Sequence, residues 1–109
     1  MKMFNLSELR ERVQILRQSV LEEDEGLGEE IEFQPFKSVW AQPLKQRITP
    51  QVAMDSTEVV IVTQGFKIRS GNDVQKGDRL VWKGMTFNII DVDVSNPYYH
   101  ILTTKRVEM

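Results

Sequence analysis

Val81-Trp82-Lys83-Gly84-Met85-Thr86-Phe87-Asn88-Ile89-Ile90 reads as two half-buried strands on either side of a Lys83-Gly84 turn. Before the turn, Leu80 and Trp82 face one way and Val81 the other; after it, Phe87 and Ile89 share a face while Asn88 points away. A period of two is the mark of a strand with one dry and one wet side. The alternation then slips. Ile90, Val92 and Val94 are apolar with Asp91 and Asp93 between them, so the dry parity changes between Ile89 and Ile90. A bulge there would bend the strand, which is how small sheets curl into barrels.

Working outward, the same grammar repeats. Upstream, Ser70-Gly71-Asn72-Asp73 and Lys76-Gly77-Asp78 are turns. Phe66-Lys67-Ile68-Arg69 alternates, Gln64-Gly65 suggests a bulge, and Glu58-Val59-Val60-Ile61-Val62-Thr63 is rich in β-branched residues. Downstream, Asn96-Pro97 turns the chain into a last strand, Tyr98 to Val107, with Tyr99 and Ile101 on one side and Leu102 on the other.

Toward the N-terminus the reading divides. Leu6, Leu9, Val13, Leu16 and Val20 recur at helical spacing, and Asn5 with Glu8 fits a capping box. Val13 and Ile15 nevertheless alternate with Arg12 and Gln14, which predicts a helical turn over residues 5–10 and a strand over 11–20. A continuous helix is the alternative. The acidic, glycine-containing stretch from Leu21 to Glu30 is a loop. Residues 31–43 form a strand interrupted at Pro35, which cannot donate an N–H and predicts a bulge or edge position; Ile31 pairs in parity with Phe33, and Phe36 with Trp40. Residues 44–56 lack periodicity and are read as a long loop, in which Pro50 could start a short helix across Gln51-Val52-Ala53-Met54.

Short strands separated by turn clusters predict an all-β chain, a small closed or partly open antiparallel β-barrel with long loops. Its expected core is Val13, Ile15, Phe33, Trp40, Phe66, Ile68, Leu80, Trp82, Phe87, Ile89, Val92 and Ile101. At 109 residues, 40% hydrophobic and 28% charged, the chain is expected to form one globular domain over residues 1–109 without disulfide or metal staples. Val59-Val60-Ile61-Val62 is the longest strongly apolar run, far short of the about 20 residues that cross a bilayer. Met1-Lys2-Met3-Phe4-Asn5-Leu6 shows no secretory leader.

Chemistry is scarce. There is no Cys and one His, His100, so neither a His-based metal cluster nor a Ser–His–Asp triad is expected within one chain. His100 is read as a satisfied structural residue. Asp91 and Asp93 share one face of a strand and could bind a cation or do acid–base work, yet alternation on a solvent face explains them more cheaply. Gly26 and Gly28 are flanked by acids that would repel a phosphate. Neither an enzyme nor a cofactor is expected. Phe66, Lys67, Arg69, Trp82, Lys83 and Tyr98 could stack and hold single-stranded nucleic acid, but most of these aromatics occupy core parity, and the net charge is −2. The acids Glu22, Glu23, Asp24 and Glu25 form a solvated hairpin tip or a rim that repels DNA phosphates. The aperiodic segment, with Lys45, Gln46, Arg47, Gln51, Met54 and Asp55, is the first place to look for partner contacts.

Taken in order, Leu9-Arg10-Glu11-Arg12-Val13-Gln14-Ile15, the acidic loop and Ser38-Val39-Trp40-Ala41-Gln42-Pro43-Leu44 resemble the bacteriophage head–tail connector family, also called head-closure, stopper or head–tail joining proteins. The likeness continues through Phe66-Lys67-Ile68-Arg69, Lys76 to Val92, and Leu102-Thr103-Thr104-Lys105. It implies a barrel that self-associates into a ring beneath the portal, closes the DNA-filled head and docks the tail. The implied partners are portal or adaptor proteins and tail proteins, with double-stranded DNA passing through the channel unbound. The implied location is the virion, after assembly in the bacterial cytoplasm. A single-stranded nucleic-acid-binding barrel and a tail component such as a terminator are the alternatives. The segment between Leu44 and Thr57 matches the family least well.

Overall fold

In the computed structural model, residues 6–22, 29–52 and 58–108 are described. A single 3-10 turn, Leu6–Glu8, precedes six strands: β1 Glu11–Glu22, β2 Glu29–Val52, β3 Glu58–Arg69, β4 Arg79–Trp82, β5 Met85–Asp93 and β6 Tyr99–Glu108. All pairings are antiparallel, and the order β1-β2-β3-β6-β5-β4 closes into a barrel where Gln14, Ile15 and Leu16 of β1 pair with Val81, Leu80 and Arg79 of β4. The all-β barrel and the short turn ahead of β1 agree with the sequence reading.

Three bulges shape it. In β5, Ile89 pairs with Thr104 and Asp91 with Thr103, so Ile90 is the extra residue, as its parity indicated. In β2, Ile15 pairs with Lys37 and Leu16 with Pro35, leaving Phe36 extra beside the proline. The bulge expected at Gln64-Gly65 lies instead on the facing strand: Pro43 pairs with Phe66 and Gln46 with Gln64, so Leu44 and Lys45 both oppose Gly65. A Cβ at position 65 would stand 3.2 Å from the Leu44 Cβ, so a side chain there would require Leu44 to give by a few tenths of an ångström. Buried polar groups stitch this kink. The Gln64 amide donates to the Leu44 and Gly65 carbonyls at 2.7 and 2.9 Å, and the Thr104 hydroxyl donates to the Gln64 carbonyl.

Core positions follow the pleat. Val13, Ile15, Val39, Ala41, Val62, Phe66, Ile68, Val74, Leu80, Phe87, Ile89 and Leu102 are buried, with Trp82 and Val92 packed against them. Phe66 meets Trp82 edge-on at 5.4 Å and Phe87 at 6.0 Å between ring centroids. Three expected core residues are corrected. Trp40 is 51% exposed, because the inward parity of β2 belongs to its neighbours Val39 and Ala41. Phe33 is half-buried, since the extra residue at Phe36 reverses parity upstream and turns the ring outward. Ile101 is half-buried on the outer side, opposite Leu102.

The expected loop over residues 44–56 is also corrected. β2 continues as strand to Val52, pairing residue by residue from Gln46↔Gln64 to Val52↔Glu58, and no helix starts at Pro50. The β-branched run of β3 needs a ladder partner, and the chain returning from it supplies one. Pro43 and Pro50 are tolerated because, beyond Ala41, no described strand pairs with the other side of β2, and an edge strand can lack a donor.

Candidate functional site

The 24 residues of β2 exceed what the barrel uses, and its two ends become arms. At one end, β1 and β2 run on as a two-stranded ribbon past Arg17, to the register pair Glu22↔Glu29. At the other, Gln46–Val52 extends with β3, whose Val60 and Ile61 still pair with Glu108 and Val107 of β6. The antiparallel register places these arms at opposite ends of β2.

The β2–β3 arm holds most of the partner residues expected from sequence. Lys45, Gln46, Arg47 and Gln51 are exposed along its free edge, whereas Met54 and Asp55 lie outside the described residues. Sequence reading missed its apolar character. Ile48 is 62% and Val52 66% exposed, on the face that carries Val62, while Val107, 55% exposed, shares the opposite face with its register partner Ile61. Of the acidic residues, Glu22 ends β1, and Glu23, Asp24 and Glu25 lie outside the described residues.

Arg17 fixes the base of the β1–β2 arm. Its Nη2 donates to Asp78 Oδ2 at 2.9 Å and its Nε to Oδ1 at 3.2 Å, while Nη1 reaches Asp73 Oδ2 at 3.3 Å. The buried Asp78 carboxylate also accepts the Gln75 backbone N–H at 2.9 Å, so one guanidinium ties the 70–78 segment to β1. Asp78, through its hydrogen bond and charge, and then Asp73 hold the Arg17 pKa above its ordinary value. The Gln75 amide first, and Arg17 second, hold the Asp73 carboxyl below the usual carboxylate range.

A second feature had no sequence signal beyond composition: guanidinium groups lie over aromatics of β2 that stand outside the core. Arg17 sits 3.7 Å from the Phe36 centroid, Arg79 3.8 Å from that of Phe33, and Arg12 5.1 Å from that of Trp40. Such stacking requires the strand register and could not be read from spacing.

The remaining chemical suspects disperse. Among the described residues, no group of three or more His, Cys, Asp or Glu could hold a metal ion. Asp91 and Asp93 are exposed, and Asp93, its pKa lowered by the Ser95 side chain and backbone N–H, caps a turn. His100 is half-buried, and its Nδ1 has no hydrogen-bond partner among the described residues, unlike the satisfied histidine expected from sequence. Of the suggested stacking aromatics, Phe66 is fully buried and Trp82 packs on the core, its Nε1 donating to Glu11 at 3.4 Å. Of the three, Tyr98, 66% exposed, stands free of the core.

Fold and surface together define a barrel-based interaction module, a small closed scaffold whose distinctive parts are two arms and an arginine–aromatic face. The model of the phage head completion protein family matches residues 4–108, and the chain belongs to that family; its role is a structural one in the phage head. A chain from a structure titled "Virion of native gene transfer agent (GTA) particle" has the same fold, with a TM-score of 0.72 and 14% identity over 89% of this chain and 93% of that one. No curated protein matches the chain.

Proposed function

We propose that the protein forms a ring at the junction of head and tail, closing the DNA-filled head and offering the surface on which the tail docks. It works in the virion after assembly in the host cytoplasm, as one domain that makes and breaks no covalent bonds. Its neighbours are the portal or an adaptor on one side and tail proteins on the other. Packaged DNA passes without specific contacts, in keeping with the net charge of −2.

The observation that carries this reading is the β2–β3 arm, an edge-bearing sheet with apolar side chains on both faces. A lone exposed Ile or Val needs no explanation, but Ile48, Val52 and Val107 lie on one small projection. Burying each further would contribute about 1–2 kcal/mol at about 25 cal/mol per Å² of apolar area. Packing against other subunits covers both faces at once, and the free β2 edge can accept a strand.

Electron microscopy of particles made without the protein tests the proposal. Full heads that leak DNA and carry no tails are the expected phenotype. Normally tailed particles that retain their DNA would refute it.

A further inference from the structure

Charge is divided unevenly along this chain. Residues 18–36 contain seven of the sixteen acids and no Lys or Arg, leaving nine acids against fourteen bases elsewhere, so −7 stands against +5. Of this negative share, Glu22, Glu29, Glu30 and Glu32 stand on the described strands of the β1–β2 arm. They include the register pair Glu22↔Glu29 and the exposed Glu32.

On the barrel, a cleft of about 380 Å³ opens beside β2, lined by Leu9, Ser38, Val39, Trp40, Arg69 and Asn72. Trp40 and Leu9 give it an apolar wall. Arg69 borders it, and Arg12 lies over the Trp40 ring. Both arginines are exposed, and neither is among the ion pairs of the described residues. An exposed Trp between two guanidinium groups fits an extended acidic segment with an apolar neighbour, since carboxylates take guanidinium groups in charge-assisted pairs while the indole covers the aliphatic part.

The chain carries such a segment at the end of its own arm, where Leu21 precedes Glu22 and Glu29-Glu30 lies opposite. It cannot reach its own cleft. Glu29 and Trp40 lie on one continuous strand, about 35 Å apart at about 3.3 Å per residue. The arm projects about 17 Å beyond Arg17 by the same measure, enough to lie across an adjacent barrel.

We propose that the Trp40 cleft, flanked by Arg12 and Arg69, receives the acidic end of the β1–β2 arm of a second copy, joining successive subunits head to tail. The contact is heterologous, as ring closure by rotation requires, and like charge disfavours arm-to-arm pairing. This inference rests on the ring reading above and adds to it the surfaces that meet.

Because the chain has no Cys, paired cysteines report the contact without background. Particles are assembled with a Glu22→Cys, Ser38→Cys double variant, oxidised mildly and run on a non-reducing gel. A ladder of covalent multimers of this chain, absent from either single variant, is the expected result. Uncrosslinked protein in particles whose micrographs still show a ring would overturn the contact and leave the ring reading standing. Cross-links to a different virion protein would overturn the choice of a second copy, and the absence of any ring would overturn the underlying reading. If the cysteine variant fails to assemble, charge reversal decides. Arg12→Glu with Arg69→Glu should abolish tailed particles, and adding Glu22→Arg, Glu29→Arg and Glu30→Arg should restore them; no restoration counts against the contact.

Discussion

Replacing Arg17 by methionine probes the joint between barrel and arm. Methionine keeps much of the apolar stem but removes the guanidinium that lies over Phe36 and donates to Asp78 and Asp73. The Asp78 side chain is 6% exposed and that of Arg17 28%, so the substitution strands a buried carboxylate whose other donor among the described residues is the Gln75 N–H. Removing one partner of a buried pair costs about 3–5 kcal/mol, and the partial exposure of Arg17 brings the expectation to about 2 kcal/mol. For a domain of this size that lowers Tm by about 10 °C. Urea denaturation of wild type, Arg17→Met, Asp78→Asn and the double variant closes a cycle whose coupling should be about 1–2 kcal/mol. Hydrogen exchange should quicken in the 70–78 segment and at the base of the β1–β2 arm before the barrel. A coupling below about 0.5 kcal/mol would refute the clamp, placing Arg17 among ordinary surface ion pairs.

Other expectations are narrower. Asp73 has its pKa depressed in the folded protein, so its contribution is present above the ordinary carboxylate value of 3.8 and fades as pH falls through the lower folded value. Thermal melts on acidification should therefore show a smaller acid-side loss in Asp73→Asn than in wild type, with equal slopes counting against the assignment. Lys83 sits at φ 51° ahead of Gly84 at φ 76°, a two-residue hairpin turn that favours Asn at its first position. Lys83→Asn should stabilise by about 0.5–1 kcal/mol in denaturant titration. Ile48→Glu with Val52→Glu should leave the isolated protein's stability within about 0.5 kcal/mol while tailed particles are lost. Normal tailing in that variant would argue against the arm as a contact.

Much of the barrel was legible because its signals are local. Phe87, Ile89 and Ile90 encode both the dry face of β5 and the bulge that bends it, and Lys83-Gly84 encodes the hairpin. What escaped depends on partners distant in sequence. Gln46–Val52 has no periodicity, since a strand uncovered on either face need not alternate, and its pairing is decided by β3. Phe33 and Trp40 look like core by composition. One inserted residue at Phe36 turns Phe33 outward, while Trp40 lies on the outward parity between Val39 and Ala41. Their arginines come from β1 and β4, so the outer face exists only once the ring of strands closes. In the 44–56 segment Lys45, Gln46, Arg47 and Gln51 are exposed, but the apolar pair Ile48 and Val52 among them was not recognised as a signal.

The position we propose is the neck, with many copies of this barrel between the portal vertex and the tail, held by arm contacts. A reconstruction of the neck of intact particles by electron cryomicroscopy measures that directly. It should resolve a closed ring of six-stranded barrels at the junction, with β2–β3 arms packed among other subunits. Density for the chain in the capsid shell instead, or single isolated copies with both arms free in solvent, would contradict the account.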